Sequence, residues 1–278
     1  MWAATSTFDV DGLYLGVRST STSVDDVLRA ALAAHLVADV EAPPNYSVQL
    51  GEPSTSGAAT GFHFLYRSSA SVVRTRDARR VARGLFTHLS SHRVDQGPGL
   101  LRVHGVTLIG GGAAVLAPAV LRQWPELIER RLNGKGLRFV DTPWALVDPT
   151  RAEVVVPEPA LEVDWSALDR LDSLAGGGAR PDPPVEPGRY PLVGWAFWVG
   201  ADVTGRLSRA QAVMHALQLT IGAFDGAEGR DDVQRALDGL ATVVRGIEPA
   251  AIAWNDPVEL VQPLVALASG ANRRPARS

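Results

Sequence analysis

Residues 110–132, GGGAAVLAPAVLRQWPELIERRL, line up a glycine cluster, an apolar run, a small turn and an amphipathic segment. Phosphate-binding loops are built from such parts. Glycines turn backbone N–H groups towards phosphate oxygens, a lysine meets the outer phosphates, and a hydroxyl holds Mg²⁺. Here the side chains that chemistry needs are of the wrong type. Lys135 is the only lysine among 27 basic residues, and it comes after the segment instead of opening it. Gly110–Gly112 offers an anion nest, although a tight turn between two strands asks for no more than such glycines.

Other side chains with chemical potential are scattered. Arg76, Arg79, Arg80 and Arg83 recur at i, i+3, i+4 and i+7, a spacing that puts them on one helix face. With Arg74 beside them and only Asp77 to compensate, they form a candidate surface for an acidic peptide, a protein or a phosphorylated group. A solvated helix face accounts for them equally well. Of the six histidines (35, 63, 88, 92, 104 and 215), only His88 and His92 stand at a metal-ligand spacing, a weak signal taken alone. No metal site is expected. Trp195 and Trp198 read as core side chains of a strand. The motifs GxSxG and HExxH, an EF-hand loop and a GxGxxG opening a helix do not occur in the sequence.

Bulk properties narrow the classes. The chain has 278 residues, 46% hydrophobic and 21% charged, enough for one large or two modest domains with a real core. A net charge of −3 argues against a general binder of nucleic acid or membrane surfaces. The absence of cysteine excludes disulfides, thiolate metal sites and cysteine nucleophiles. The first 25 residues have no long apolar core, and no run of 18 apolar residues occurs, so a cytoplasmic location is the expectation.

The elements that must position these residues are read from periodicity. Residues 7–17 alternate around Asp11-Gly12 and predict a hairpin or a bulged strand. Residues 23–37 predict a helix capped by Ser23, with Val24, Leu28, Ala31, Leu32 and Leu36 on its buried side. Strands are predicted at 46–50, 62–67 and 71–75, then a helix over 77–90. VDQGPG at 94–99 breaks the pattern and marks a domain boundary. Beyond it come strands at 101–109 and 113–117, a helix over 118–132, and strands at 137–141, 144–147 and 152–156. A Gly/Pro-rich loop at 175–188 precedes the strand LVGWAFWV, helices near 207–224 and 231–246, the strand AIAW and a helix over 257–269.

In order, LLRVHGVTLIGGGAAVLAPAV, GLRFVDTPWALVDP, AEVVVPEPALEV, YPLVGWAFWV and AIAWNDPVELVQPLVALA resemble the HPr kinase/phosphorylase-type domain, a P-loop fold related to phosphoenolpyruvate carboxykinases. The resemblance covers residues 100–270 and lies in the order of elements. It puts Ala117 and Arg122 at the two loop glycines, Gln123 at the lysine and Trp124-Pro125 at the hydroxyl pair. Pro118 removes a donor, and Val120 disfavours positive φ. The family's paired metal-binding acids reduce to Asp141, and His104 falls where the family carries a strand-end histidine. Phosphoryl transfer depends on positioned charge, so losing these groups together argues against ATP-dependent catalysis.

The expected fold is therefore α/β (mixed α+β): a small α+β domain over 1–95, then an HPr kinase-like mixed sheet with flanking helices over 100–270, and a flexible tail over 271–278. The expected function is that of a non-catalytic accessory that binds a peptide or small protein, or partners a modification enzyme. Relatives encoded beside maturation enzymes for ribosomal peptides suggest that setting by analogy. No cofactor, nucleic acid or membrane is expected, and homo-oligomerisation is left open. Partner contacts would fall on Arg76, Arg79, Arg80 and Arg83. Two alternatives remain: an active kinase with His104 and Asp141 catalytic and Arg122 and Gln123 at the nucleotide, or a structural subunit of a larger assembly.

Overall fold

The computed structural model describes residues 2–51, 61–94, 99–132, 134–140, 142, 144–158, 161–175, 185–200, 203–221 and 230–270. In chain order the first elements are β1 (Ala4–Val10), β2 (Leu13–Ser19), α1 (Thr22–Ala31), β3 (Leu36–Val37), β4 (Pro44–Gln49), β5 (His63–Arg67), β6 (Ala70–Thr75) and α2 (Ala78–Val94). Then come β7 (Leu101–Val103), β8 (Gly105–Gly110), β9 (Ala113–Pro118), α3 (Pro125–Leu132), β10 (Arg138–Val140), β11 (Ala145–Asp148), β12 (Glu153–Val156) and α4 (Asp169–Ala175). The last are β13 (Gly188–Phe197), β14 (Gly205–Arg206), α5 (Arg209–Leu219), β15 (Thr220–Ile221), α6 (Arg230–Gly246), β16 (Glu248–Ala251) and α7 (Val261–Gly270). The class is mixed α/β.

The chain divides into two compact units, residues 1–96 with 159–183, and residues 97–158 with 184–278. The second segment of the first unit differs from the sequence expectation, which kept 100–270 in one piece. Its cause is apolar. Leu161, Ala167, Leu168 and Leu171 leave the second unit's stretch of chain and complete the core made by α1, α2 and their sheet.

In the first unit the six strands run in the order β3-β1-β2-β4-β5-β6. Asp11 and Gly12 both take positive φ, 54° and 84°, which matches the twist of a two-residue hairpin between β1 and β2. Phe8, Val10, Leu15, Val17, Val48 and Leu65 point to the helices. The helix expected over 23–37 is shorter. It starts at Thr22 behind Ser21, which makes no side-chain cap bond, and it stops at Ala31. Leu36 and Val37 pair with Phe8 and Thr7 of β1 instead, since an edge strand satisfies their backbone groups.

The second unit wraps helices around both faces of a sheet whose central path is β10-β8-β9-β13-β12-β11-β7-β15, with β16 also on β13. Ile109, Ala114, Leu116, Trp195 and Phe197 face α5 and α6. Val106, Leu108, Val115, Ala117 and Ala196 face α3 and α7. Burial on both faces explains the near-continuous apolar runs VTLIG and AAVLA. Gly111 and Gly112, at φ 57° and 77°, form a two-residue hairpin loop between the paired Gly110 and Ala113. The glycine cluster is thus a turn. β9, β13 and β16 run parallel, unlike the antiparallel pairs around them. The expected strand 101–109 is broken at His104, and the expected AIAW strand ends at Ala251, its first residue, having begun at Glu248.

A buried carboxylate marks the α1–β1 contact. Asp25 is 5% exposed, and the Ser6 Oγ–H donates to its carboxylate in a shared bond, 2.9 and 3.0 Å from the two oxygens. Burial pushes its pKa up, and the Ser6 bond, Arg29 and Asp26 modify that rise. A folded-state pKa above the unfolded one means the folded state holds the proton more tightly, so this group's contribution improves as pH falls. Ser6→Ala should therefore lower stability by about 1–3 kcal/mol at neutral pH, with a smaller loss in mild acid as Asp25 takes a proton. Denaturant unfolding at the two pH values checks both.

Candidate functional site

In open α/β sheets ligands collect at the carboxyl ends of parallel strands. The corresponding edge here is the end of β9, β13 and β16, and each exit places a tryptophan there. Trp198 directly follows β13, Trp254 follows β16 by three residues, and Trp124 stands after the turn that leaves β9. Their rings pack edge to face, Trp124 on Trp254 at 6.1 Å and Trp198 on Trp254 at 6.4 Å between centroids. Trp198 is 58% exposed, so only Trp195 of the two expected core tryptophans is in the core. The Trp254 Nε1–H is buried and finds no acceptor among the described residues.

The segment between β9 and α3 is a 3-10 turn, Ala119–Gln123, not the first turns of the helix expected over 118–132. Pro118 opens it with extended backbone, and Trp124 N–H closes it on the Leu121 carbonyl at 3.1 Å. Leu121 is fully buried among Ile128, Leu132 and Leu260, which stabilises the turn by roughly 1.5–3 kcal/mol. The first turn of α3 starts with Pro125, which has no N–H to offer, and Ile128 N–H bonds back to the Trp124 carbonyl at 3.1 Å.

Arg122 and His104 come together at the start of β8. The Arg122 guanidinium donates to the Gly105 carbonyl, which fastens the turn to the adjacent strand. His104 occupies the break between β7 and β8, and its backbone N–H donates to the Leu219 carbonyl at 2.6 Å. Loss of water around the ring, and secondarily the Arg122 charge, hold His104 below the ordinary histidine range. Gln123 is exposed. Asp141, the expected metal or catalytic carboxylate, lies outside the described residues.

The expected arginine face does not form one continuous surface. Arg80 is buried at 6% exposure, and Arg79 pairs with Asp169 of α4 at 2.8 Å. Arg83 is half-buried and Arg76 is exposed. Helical spacing fails here because α2 is covered by α4 as well as by the sheet, so part of its polar side faces protein. Asp77 ends the strand-to-helix connection. Its Oδ1 accepts from Arg79 N–H at 2.9 Å and Arg80 N–H at 3.4 Å, and burial pushes its pKa up despite those bonds. His88 is buried with its ring edge-on to Tyr46, and the His92 side chain lies outside the described residues. Among the described residues no three His, Asp or Glu groups are placed to hold a metal.

Sequence reasoning missed the tryptophan cluster. Its signal was there, one tryptophan within six residues after each apolar strand run, but which strands lie parallel and adjacent is not written locally. No protein-family model matches the chain, and no curated protein matches it.

The His104–Arg122 pair makes a testable pH statement. A histidine held low in the folded state binds fewer protons than it does unfolded, so its contribution is complete above its unfolded pKa of about 6.5 and is lost as pH falls through the folded value. Arg122→Gln should move the His104 titration part of the way up towards 6.5, with burial accounting for the rest. An NMR titration of the imidazole resonances reads the shift directly.

Proposed function

We propose that the chain is a non-catalytic protein with an HPr kinase-like second unit, acting as a peptide- or protein-binding accessory to a modification enzyme. One observation carries this reading. The connection from β9 to α3, where a P-loop kinase would cradle phosphate, is a 3-10 turn plugged by Leu121 and closed by Trp124. The supporting frame is an α/β sheet covered on both faces, with three parallel strands that end at the tryptophan cluster. Such a frame keeps the rigidity of a catalytic fold while its charge-bearing loop is replaced by packing. Rigid, partly exposed aromatic rings suit contact with a polypeptide better than with a triphosphate. Maturation of a ribosomally made peptide is the setting that the sequence resemblance suggests.

Thermal unfolding with and without ATP·Mg²⁺ tests this. A ligand at a hundred times its dissociation constant would add about 2.7 kcal/mol and raise the melting temperature by degrees. The expected result is an unchanged transition. A rise, together with transfer of labelled γ-phosphate to any peptide, overturns the reading in favour of a rebuilt kinase site.

A further inference from the structure

Among the described residues the helices of the first unit pack on one face of its sheet, the loop at Ala42–Pro43 covers part of the other near Thr7 and Gly16, and the rest of that face carries aromatic and arginine side chains among polar ones. Register places Thr5, Arg18, Ser47 and Tyr66 directly opposite one another across β1, β2, β4 and β5. The next row places Gln49, Phe64 and Arg74 together across β4, β5 and β6. A solvated sheet face normally alternates polar residues outward. Here aromatics and arginines stand among the polar residues Thr5, Ser47 and Gln49.

Their geometry is ordered. The Arg18 guanidinium lies 4.3 Å from the centre of the Trp2 ring, and its Nε–H donates to Ser47 Oγ at 2.7 Å. Phe64 and Tyr66 are stacked, 5.7 Å apart and 18° from parallel. Arg74 lies 4.1 Å over Phe62, with Arg76 at 4.9 Å over the same ring. Trp2 is 37% exposed, Arg74 and Arg76 are exposed, and the other rings are half-buried. A guanidinium over an aromatic ring is held in place by it, and the N–H donors left to such an arginine suit a carboxylate.

We infer that this open sheet face binds an acidic, extended peptide segment whose carboxylates are spaced by apolar side chains. Carboxylates would sit on Arg18 and Arg74, and apolar side chains on the Phe64–Tyr66 pair between them. Charge complementarity selects this occupant. Single-stranded nucleic acid fits less well, because the arginines already cover the ring faces of Trp2 and Phe62 on which bases would stack, and Asp9 lies on the same face. The inference rests on the binding-partner reading and replaces the α2 arginine face as its contact surface.

The test is fluorescence anisotropy with the full chain and a fluorescein-labelled peptide of alternating glutamate and leucine. Its controls are the glutamine analogue and a labelled oligo(dT). Saturable binding of the acidic peptide is expected, weakened by added salt. Arg18→Gln combined with Arg74→Gln should weaken it at least roughly tenfold, each lost charge-assisted bond being worth more than a neutral one. Arg170→Gln, an exposed arginine on α4, should leave it unchanged. If the double variant melts early, the exposed single Arg74→Gln decides the sign. No binding, equal binding by the Arg74 variant, or tighter binding of oligo(dT) each overturns the inference. ATP·Mg²⁺ stabilisation beside intact peptide binding would overturn the non-catalytic reading and leave this one standing.

Discussion

The second unit depends on β13 being buried from both sides at once. Trp195 and Phe197, stacked at 4.9 Å, fill the layer under α5 and α6, while Ala196 and Gly194 keep the opposite surface low for α7. A Cβ at Gly194 would stand 3.2 Å from the Leu267 Cβ, closer than ordinary contact, so α7 would have to give by a few tenths of an ångström. Large residues on one face and small ones on the other set the distance of each helix layer. With β13 so held, β9 and β16 are fixed in parallel on it, and their ends converge on one edge.

Packing decides which groups stand at that edge. A phosphate cradle needs backbone left unsatisfied until a ligand arrives, and that costs stability in its absence. The turn at 119–123 is not built that way, since Leu121 is buried, the Trp124 N–H is bonded and Arg122 grips Gly105. Stability and ligand chemistry compete for the same few residues, and here packing has taken them. Among the described residues, the Trp254 N–H is one polar group that this arrangement leaves unsatisfied.

Local signals were legible wherever one residue type has one physical use. Asp11-Gly12 and Gly111-Gly112 announce hairpin turns because both positions need positive φ. FHFLYR announces a strand, while the aromatic side that Phe64 and Tyr66 make by stacking went unread. Contacts made at long range were not carried by sequence. Asp25 reads as an ordinary first-turn acid until Ser6 is seen opposite it, and Arg79 reads as solvated until Asp169 of α4 is seen beside it. Likewise Leu36 and Val37 continue a helical pattern, and only the empty edge of β1 draws them into a sheet.

The returning segment at 159–183 carries a consequence for synthesis. The first unit's core lacks Leu161, Ala167, Leu168 and Leu171 until that part of the chain has left the ribosome. The N-terminal ninety-odd residues reach their complete core only once the later segment emerges, unlike a domain made in one continuous stretch. Residues 97–158 are an insertion within the first unit's sequence, and a fragment cut at the apparent boundary would expose the apolar side of α1 and α2 that the late segment covers.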